Sequence, residues 1–63
     1  MEYEKNIPLY IQVKNDIYER IKSNEFGDML PSEKELISLY NVSRVTLRKA
    51  LEKLEEEDII VRK

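Results

Sequence analysis

The sequence predicts a small, mostly α-helical domain with three helices, a tight turn between the last two, and one short strand at the C-terminus. Three segments carry apolar residues at helical spacing, and the only glycine lies between the first two of them. A third observation limits the size, because 63 residues hold one domain at most and bury only a small core. A deep, walled pocket is not expected in such a chain.

The first helix is predicted over residues 8–23, where an apolar stripe repeats at steps of three and four residues. The stripe consists of Tyr10, Val13, Ile17 and Ile21. Asn24 is suited to the left-handed residue that stops a helix. Residues 25–31 then form a loop, from which Phe26 and Leu30 are expected to turn onto the core.

The second helix has the clearest start signal of the chain, because Ser32 and Glu35 have the spacing of a capping box. In that motif the Ser32 hydroxyl accepts a hydrogen bond from the N–H of Glu35, and the Glu35 side chain returns to the N–H of Ser32. The helix is expected to be short and to end at Asn41.

The third helix follows almost at once, with Ser43 as its N-cap. An apolar stripe at i, i+3, i+4 and i+7 predicts a helix over residues 44 to about 57. The stripe consists of Leu47, Ala50, Leu51 and Leu54. Two helices joined by so short a turn, with a small residue on the core face of the second, are typical of a helix-turn-helix. The β-branched run of residues 59–61 predicts the short strand.

The composition excludes several kinds of site. The chain has no cysteine and no histidine, so it has no disulfide, no thiol nucleophile and no imidazole base. The acidic run of residues 55–58 lacks the spacing of a calcium loop. No secretory signal and no membrane-spanning apolar run is present. The sequence therefore predicts a soluble, cytoplasmic protein without enzymatic activity, cofactor or metal.

The charges of the third helix are arranged against its dipole. Arg44, Arg48 and Lys49 lie near its start, with no acid in residues 43–51, and residues 55–58 at its end are all acidic. Anions are favoured near a helix N-terminus and cations near its C-terminus, so neither end has the stabilising sign. A basic helix start is expected where a polyanion docks. The alternative is an ordinary solvated face.

Several neighbours of these basic residues suit contacts with DNA. Val45 points away from the core, and in a major groove it would meet a thymine methyl beside an arginine that reads guanine. Ser32, Lys34 and Ser43 lie at helix starts, where hydroxyls and free N–H groups suit phosphates. Thr46 is within reach of the backbone or a base. The alternatives are that Val45 packs under the preceding turn or is an incidental exposed apolar residue, that the serines only cap, and that Thr46 is a half-buried helix residue.

Residues 7–12, 30–36 and 42–51, together with Leu54 and Ile60, resemble the N-terminal DNA-binding domain of GntR-family bacterial transcriptional regulators. The opening Pro-Leu-Tyr segment is most similar to the HutC-type branch. The resemblance covers nearly the whole chain and implies a winged helix-turn-helix domain over residues 1–63. It also implies a homodimer on a palindromic operator, with each recognition helix in a major groove. The DNA contacts that it implies are Lys34, Ser43, Arg44, Thr46 and Arg48.

The chain departs from the family pattern at Lys34, where the family usually has arginine, and at two glycine positions, and it stops early. Asp58 stands where the family usually has glycine, and Asn24 replaces another common glycine. Because the chain ends at Lys63, the resemblance implies a truncated wing and an absent C-terminal domain that binds a small-molecule effector. Residues 59–61 would then be an edge strand, with at most a short pairing to residues 29–30.

The leading hypothesis is sequence-specific binding to double-stranded DNA, as the reader head of a metabolite-responsive regulator, most simply a repressor. Arg44 and Arg48 would read guanines, and Ser32, Lys34 and backbone N–H groups would hold phosphates, while Lys49 adds to the basic start of the third helix. The alternative is a protein–protein interaction module that uses the third helix without DNA. The net charge of −2 favours the alternative.

Overall fold

The computed structural model describes residues 5–27 and 29–60. Its three helices are α1, Leu9–Lys22, α2, Glu33–Tyr40, and α3, Arg44–Glu56. The predicted three-helix architecture is confirmed, with bounds within one residue of those expected. The third helix packs against both of the others, so α3 is the central element of the fold. None of the three helices in the described ranges is long and apolar enough to cross a membrane.

One hydrophobic core holds the three helices together. Its buried residues are Val13, Ile17, Leu36, Tyr40, Val42, Leu47, Ala50, Leu51 and Leu54. The predicted stripe of α3 is buried completely, whereas Tyr10 and Ile21 at the ends of the α1 stripe are half-buried. Phe26 and Leu30 pack against the core from the loop, as expected. Ala50 is the small residue at the centre, where a larger side chain would separate α3 from its neighbours.

Serine hydroxyls cap the starts of α2 and α3. The Ser32 Oγ accepts from the N–H of Glu35 at 3.2 Å, and the Ser43 Oγ accepts from the N–H of Thr46 at 3.1 Å. Both caps are confirmed. Within the described ranges, the return bond from the Glu35 side chain to the Ser32 N–H is not formed, so α2 has half of the predicted capping box.

Each of the three helices is followed within two residues by a residue in the left-handed conformation. Asn24, Asn41 and Asp58 have φ angles of 59°, 54° and 58°. The residue after Asp58 closes the helix behind it, since the N–H of Ile59 donates to the carbonyl of Leu54 at 2.9 Å. Asparagine and aspartate tolerate this conformation, but glycine adopts it without a steric penalty. The two departures at the family's glycine positions therefore fall where the backbone favours glycine.

The predicted C-terminal strand is wrong for Ile59 and Ile60, which form no strand, and Val61 lies outside the described residues. A strand needs a partner for its backbone groups, and the N–H of Ile59 is instead bonded to the end of α3. Both isoleucine side chains are half-buried against the core. Residues 29–30, the expected partner, are not in a strand either.

Candidate nucleic-acid interface

A turn of three residues sets the angle between α2 and α3. Asn41 reverses the chain through its left-handed backbone, and the N–H of Val42 donates to the carbonyl of Ile37 at 3.4 Å. The Val42 side chain is buried in the core, and Ser43 then caps α3. Because all three residues are committed to backbone or core contacts, the start of α3 is held in one position beside α2.

A polar junction fixes this same C-terminal end of α2 against α1. The Tyr40 hydroxyl donates to Asp16 Oδ2 at 2.6 Å, and Arg20 Nε donates to the same oxygen at 2.8 Å. The Arg20 guanidinium also lies 5.6 Å from the centroid of the Tyr40 ring. Burial and the bond to Asp16 raise the pKa of Tyr40 well above its usual value. No role was predicted from the sequence for Asp16 or Arg20. The i, i+4 spacing of these two charges was the only available signal.

The basic start of α3 faces solvent. Arg44, Arg48 and Lys49 are exposed, and Val45 is 65% exposed between them. Val45 therefore does not pack under the preceding turn. Its exposure fits both a contact in a groove and an incidental apolar side chain on the surface. An exposed apolar side chain among cations, on the face opposite a fully buried stripe, is an arrangement that suits a groove with both phosphates and methyl groups.

The two arginines differ in their surroundings. Arg48 Nε donates to Glu33 Oε1 on α2 at 3.2 Å, and 55% of the Arg48 side chain remains exposed. For Arg44, no ion pair is formed with any carboxylate in residues 5–27 and 29–60. Neither arginine is buried against protein, so both are accessible to a ligand.

The hydroxyls at the start of α3 are bonded to each other. Ser43 Oγ donates to Thr46 Oγ1 at 3.0 Å while it accepts from the Thr46 backbone. Thr46 is half-buried, and Ser32 and Lys34 at the start of α2 are exposed. Both serines are thus caps, whether or not they also contact phosphate.

Lys49 lies on a different side of α3 from Arg48. Its ammonium group is 5.9 Å from the centroid of the Tyr10 ring on α1, whereas Arg48 contacts α2. An open groove of about 230 Å³ runs along this side, lined by Tyr10, Lys49, Glu52 and Lys53. The predicted site residues therefore lie at the starts of α2 and α3, which the contact between Glu33 and Arg48 joins, and Lys49 lies on the α1 side of α3.

No candidate metal site lies in the described ranges, because no three Asp or Glu side chains there are close enough together to hold an ion. At the acidic end of α3, Glu57 is paired with Lys14 at 2.9 Å and Glu56 with Lys53 at 3.3 Å. These carboxylates are thus engaged with lysines instead of with one another.

The comparisons with known proteins agree on one family. The family described as "Bacterial regulatory proteins, gntR family" matches residues 9–63. The HTH-type transcriptional regulator GgaR of Escherichia coli strain K12 is 42% identical over 59 residues, which are 90% of this chain and 24% of that protein. The mannosyl-D-glycerate transport/metabolism system repressor MngR of the same strain is 46% identical over 55 residues, 84% of this chain and 23% of that protein.

A third relative comes from another organism. The histidine utilization repressor of Klebsiella aerogenes is 40% identical over 57 residues, 87% of this chain and 24% of that protein. The chain thus spans about a quarter of the length of these relatives. No solved structure gives a significant match to the chain.

Proposed function

The chain belongs to the gntR family of bacterial regulatory proteins, and on that premise we propose that it is the head of a longer transcription regulator that reads a specific sequence of double-stranded DNA. One observation supports this most strongly. The start of α3 exposes Arg44, Val45 and Arg48 while the opposite face of the same helix is fully buried. A helix presented in this way has the width and the donors that a major groove accepts.

The proposed contacts divide into base readers and backbone anchors. Arg44 and Arg48 donate to guanine O6 and N7, and Val45 contacts a thymine methyl. Ser32 and Lys34, at the exposed start of α2, hold phosphates beside the same groove.

Three further residues complete the proposed interface. Ser43 presents its hydroxyl and the free N–H groups of the α3 start to phosphate. Thr46 approaches the backbone from the edge of the recognition helix. Lys49, displaced towards α1, contacts a phosphate farther along the duplex and does not read a base.

The wider assembly also belongs to the proposal. Residues 1–63 belong to one DNA-binding domain, and a C-terminal domain outside this chain binds a small-molecule effector. The regulator acts in the cytoplasm as a homodimer on a palindromic operator, most simply as a repressor, without enzymatic activity of its own. The names of two relatives, which are called repressors, and the length of all three support this.

Salt dependence distinguishes DNA binding from the alternative, docking of another protein on exposed Val45. With three to five phosphates neutralised per chain, log affinity should fall with log salt at a slope of about −3 to −5. Apolar docking has almost no such slope. The net charge of −2 does not oppose DNA binding, because the acidic residues lie mainly away from the start of α3.

The test is selection of duplexes from a random-sequence pool by the 63-residue chain, followed by fluorescence anisotropy with the selected duplex. We expect Arg48→Ala to abolish the preference for the selected duplex over a scrambled one, with an unchanged circular dichroism spectrum. Lys22→Ala is the matched control, since it removes one positive charge from α1 and leaves α3 intact. Enrichment of no sequence, or full preference in Arg48→Ala, would contradict the proposal.

A further inference from the structure

Glu33, the first residue of α2, is an acidic residue that contacts the basic start of α3. Its Oε1 accepts from Arg48 Nε at 3.2 Å. The Glu33 side chain is 27% exposed and that of Arg48 is 55% exposed. Within residues 5–27 and 29–60, Arg44 and Lys49 form no ion pair, so the contact singles out one of the three cations.

Neither stability nor general attraction to DNA accounts for a carboxylate at this place. An ion pair as exposed as this one contributes little to folding. A negative charge beside the proposed groove repels phosphates and weakens binding to every duplex alike. The contact has to be understood through what it does to the Arg48 side chain.

Arg48 is long and has many rotamers, and a bond at Nε restricts where its guanidinium points. A bond at Nε leaves the donors on Nη1 and Nη2 for a ligand, and paired N–H groups are what guanine O6 and N7 accept. Glu33 itself is well held. It follows the Ser32 cap, and its negative charge lies at the positive end of the α2 dipole, where an anion is favoured.

We propose that Glu33 is a positioning residue that orients Arg48 for guanine, so that it increases sequence preference while it lowers affinity for DNA in general. The inference rests on the proposed function, because it requires Arg48 to read a base. The opposite effect is physically possible too. If Glu33 only competes with DNA for Arg48, its removal strengthens specific binding.

The experiment uses the full 63-residue chain and two duplexes. One is selected from a random pool by the wild-type chain, and the other replaces the guanine whose preference is lost in Arg48→Ala. Glu33→Ala removes the carboxylate, and Glu33→Gln keeps a neutral oxygen acceptor. Glu35→Ala is the matched control. Glu35 lies in the same first turn of α2 and does not contact Arg48, so its substitution removes the same charge without affecting the arginine.

We expect Glu33→Ala to lower the ratio of the two affinities about two- to tenfold, which is the effect of releasing one ordered side chain. Glu33→Gln should lose less of the ratio. Both Glu33→Ala and Glu35→Ala should bind the substituted duplex more tightly than the wild type, because each removes a charge that repels phosphates. Glu35→Ala should leave the ratio unchanged. Partial unfolding would weaken binding to both duplexes, so it cannot imitate this pattern.

A double variant checks that the effect passes through the arginine. In the Arg48→Ala background, Glu33→Ala should not change the affinity ratio at all. An unchanged or increased ratio in Glu33→Ala alone would overturn the positioning role while leaving DNA reading by Arg48 intact. If the wild-type chain selects no sequence, the proposed function fails and the positioning role fails with it.

Discussion

The two ends of α3 carry charges that both oppose the helix dipole, but the fold treats them differently. At the carboxyl end, Glu57 is paired with Lys14 of α1 at 2.9 Å and Glu56 with Lys53 at 3.3 Å. At the amino end, Arg44 has no ion pair among the described residues, and Arg48 has one exposed contact. The unfavourable charge is thus partly neutralised at the carboxyl end of α3, whereas at the amino end it remains mostly exposed to solvent.

This difference separates a structural charge from one that serves a ligand. A helix end with the wrong sign loses about 0.3–1 kcal/mol per charge, and a nearby counter-charge offsets part of it. The fold supplies lysines to the acidic end, one of them from α1. Among residues 5–27 and 29–60, one carboxylate pairs with the basic end, that of Glu33, which accepts from Arg48. We infer that the basic end is completed by a polyanion from outside the chain.

The largest effect is expected for Arg44→Ala, which should weaken DNA binding and at the same time stabilise the fold. Arg44→Ala should weaken binding to a selected duplex about 5- to 150-fold, the effect of one bidentate base contact. The same variant should raise the free energy of unfolding by about 0.3–1 kcal/mol, because a cation leaves the positive end of the dipole. Anisotropy titration and urea denaturation measure the two quantities. A variant that is less stable and binds as before would show that Arg44 is a structural residue.

The second prediction concerns the support behind the amino end. The start of α3 keeps its position only if α2 beside it is fixed. The Tyr40 hydroxyl fixes α2 to Asp16 on α1. Tyr40→Phe should lower the free energy of unfolding by about 1.5 kcal/mol, as expected for a hydrogen bond to a charged group. Tyr18→Phe is the control, since Tyr18 is a half-buried tyrosine of α1 with no hydrogen bond to a carboxylate in the described ranges. Equal losses in both variants would contradict a special role for the junction.

The same junction has a pH signature. Burial disfavours the charged phenolate, and only the neutral Tyr40 phenol can donate to Asp16, so folding raises the pKa of Tyr40 above the ordinary value of about 10. The stabilisation is complete below about pH 10 and is lost as the pH rises above it, because the unfolded chain releases this proton first. Wild-type stability should therefore fall more steeply above pH 10 than that of Tyr40→Phe. Parallel curves from urea denaturation between pH 8 and about 11 would exclude this coupling.

A further prediction is a gain of stability at the carboxyl end of α3. Asp58 has a φ of 58° and adds a further negative charge beside the α3 terminus. Asp58→Gly should raise the free energy of unfolding by about 0.5–1 kcal/mol, because glycine adopts this conformation freely and the charge is removed. Glu55→Gly removes the same charge inside the helix, where glycine is unfavourable, and should lower stability. A loss in Asp58→Gly by thermal denaturation would mean that Asp58 has an unrecognised partner.

The parts of this fold that the sequence predicted are those decided within a few residues. The caps at Ser32 and Ser43 join residues three apart, and the buried stripe of α3 follows from one helical period. The stop at Asn24 is equally local. The conformational preferences of single residues and the period of a helix contain enough information for each of these features.

The features that the sequence missed join distant residues. Tyr40 and Asp16 are 24 positions apart, and Arg48 and Glu33 are 15 positions apart. No periodicity reveals which of many charges will meet across two helices. The strand at Ile59 failed for the same reason, since a β-branched run says nothing about whether a partner strand lies beside it. For the candidate site, the residue types were predictable, but the contact of Arg48 with Glu33 required the packed structure.

The smallest effect is expected at the acidic end of α3, where the test is whether the charge of Lys14 offsets the unfavourable charge of Glu57. Lys14→Met keeps the apolar stem of this mostly buried side chain and removes the ammonium group that pairs with Glu57. Thermal denaturation should show a loss of about 0.2–1 kcal/mol at low salt, which shrinks as salt screens the pair. Lys22→Met, at the exposed end of α1, is the control and should cost less. DNA affinity should not change in either variant beyond the effect of one charge. A loss in Lys14→Met that is independent of salt would mean that packing, and not charge, joins α1 to the end of α3, and the two ends of α3 would then be electrostatically alike.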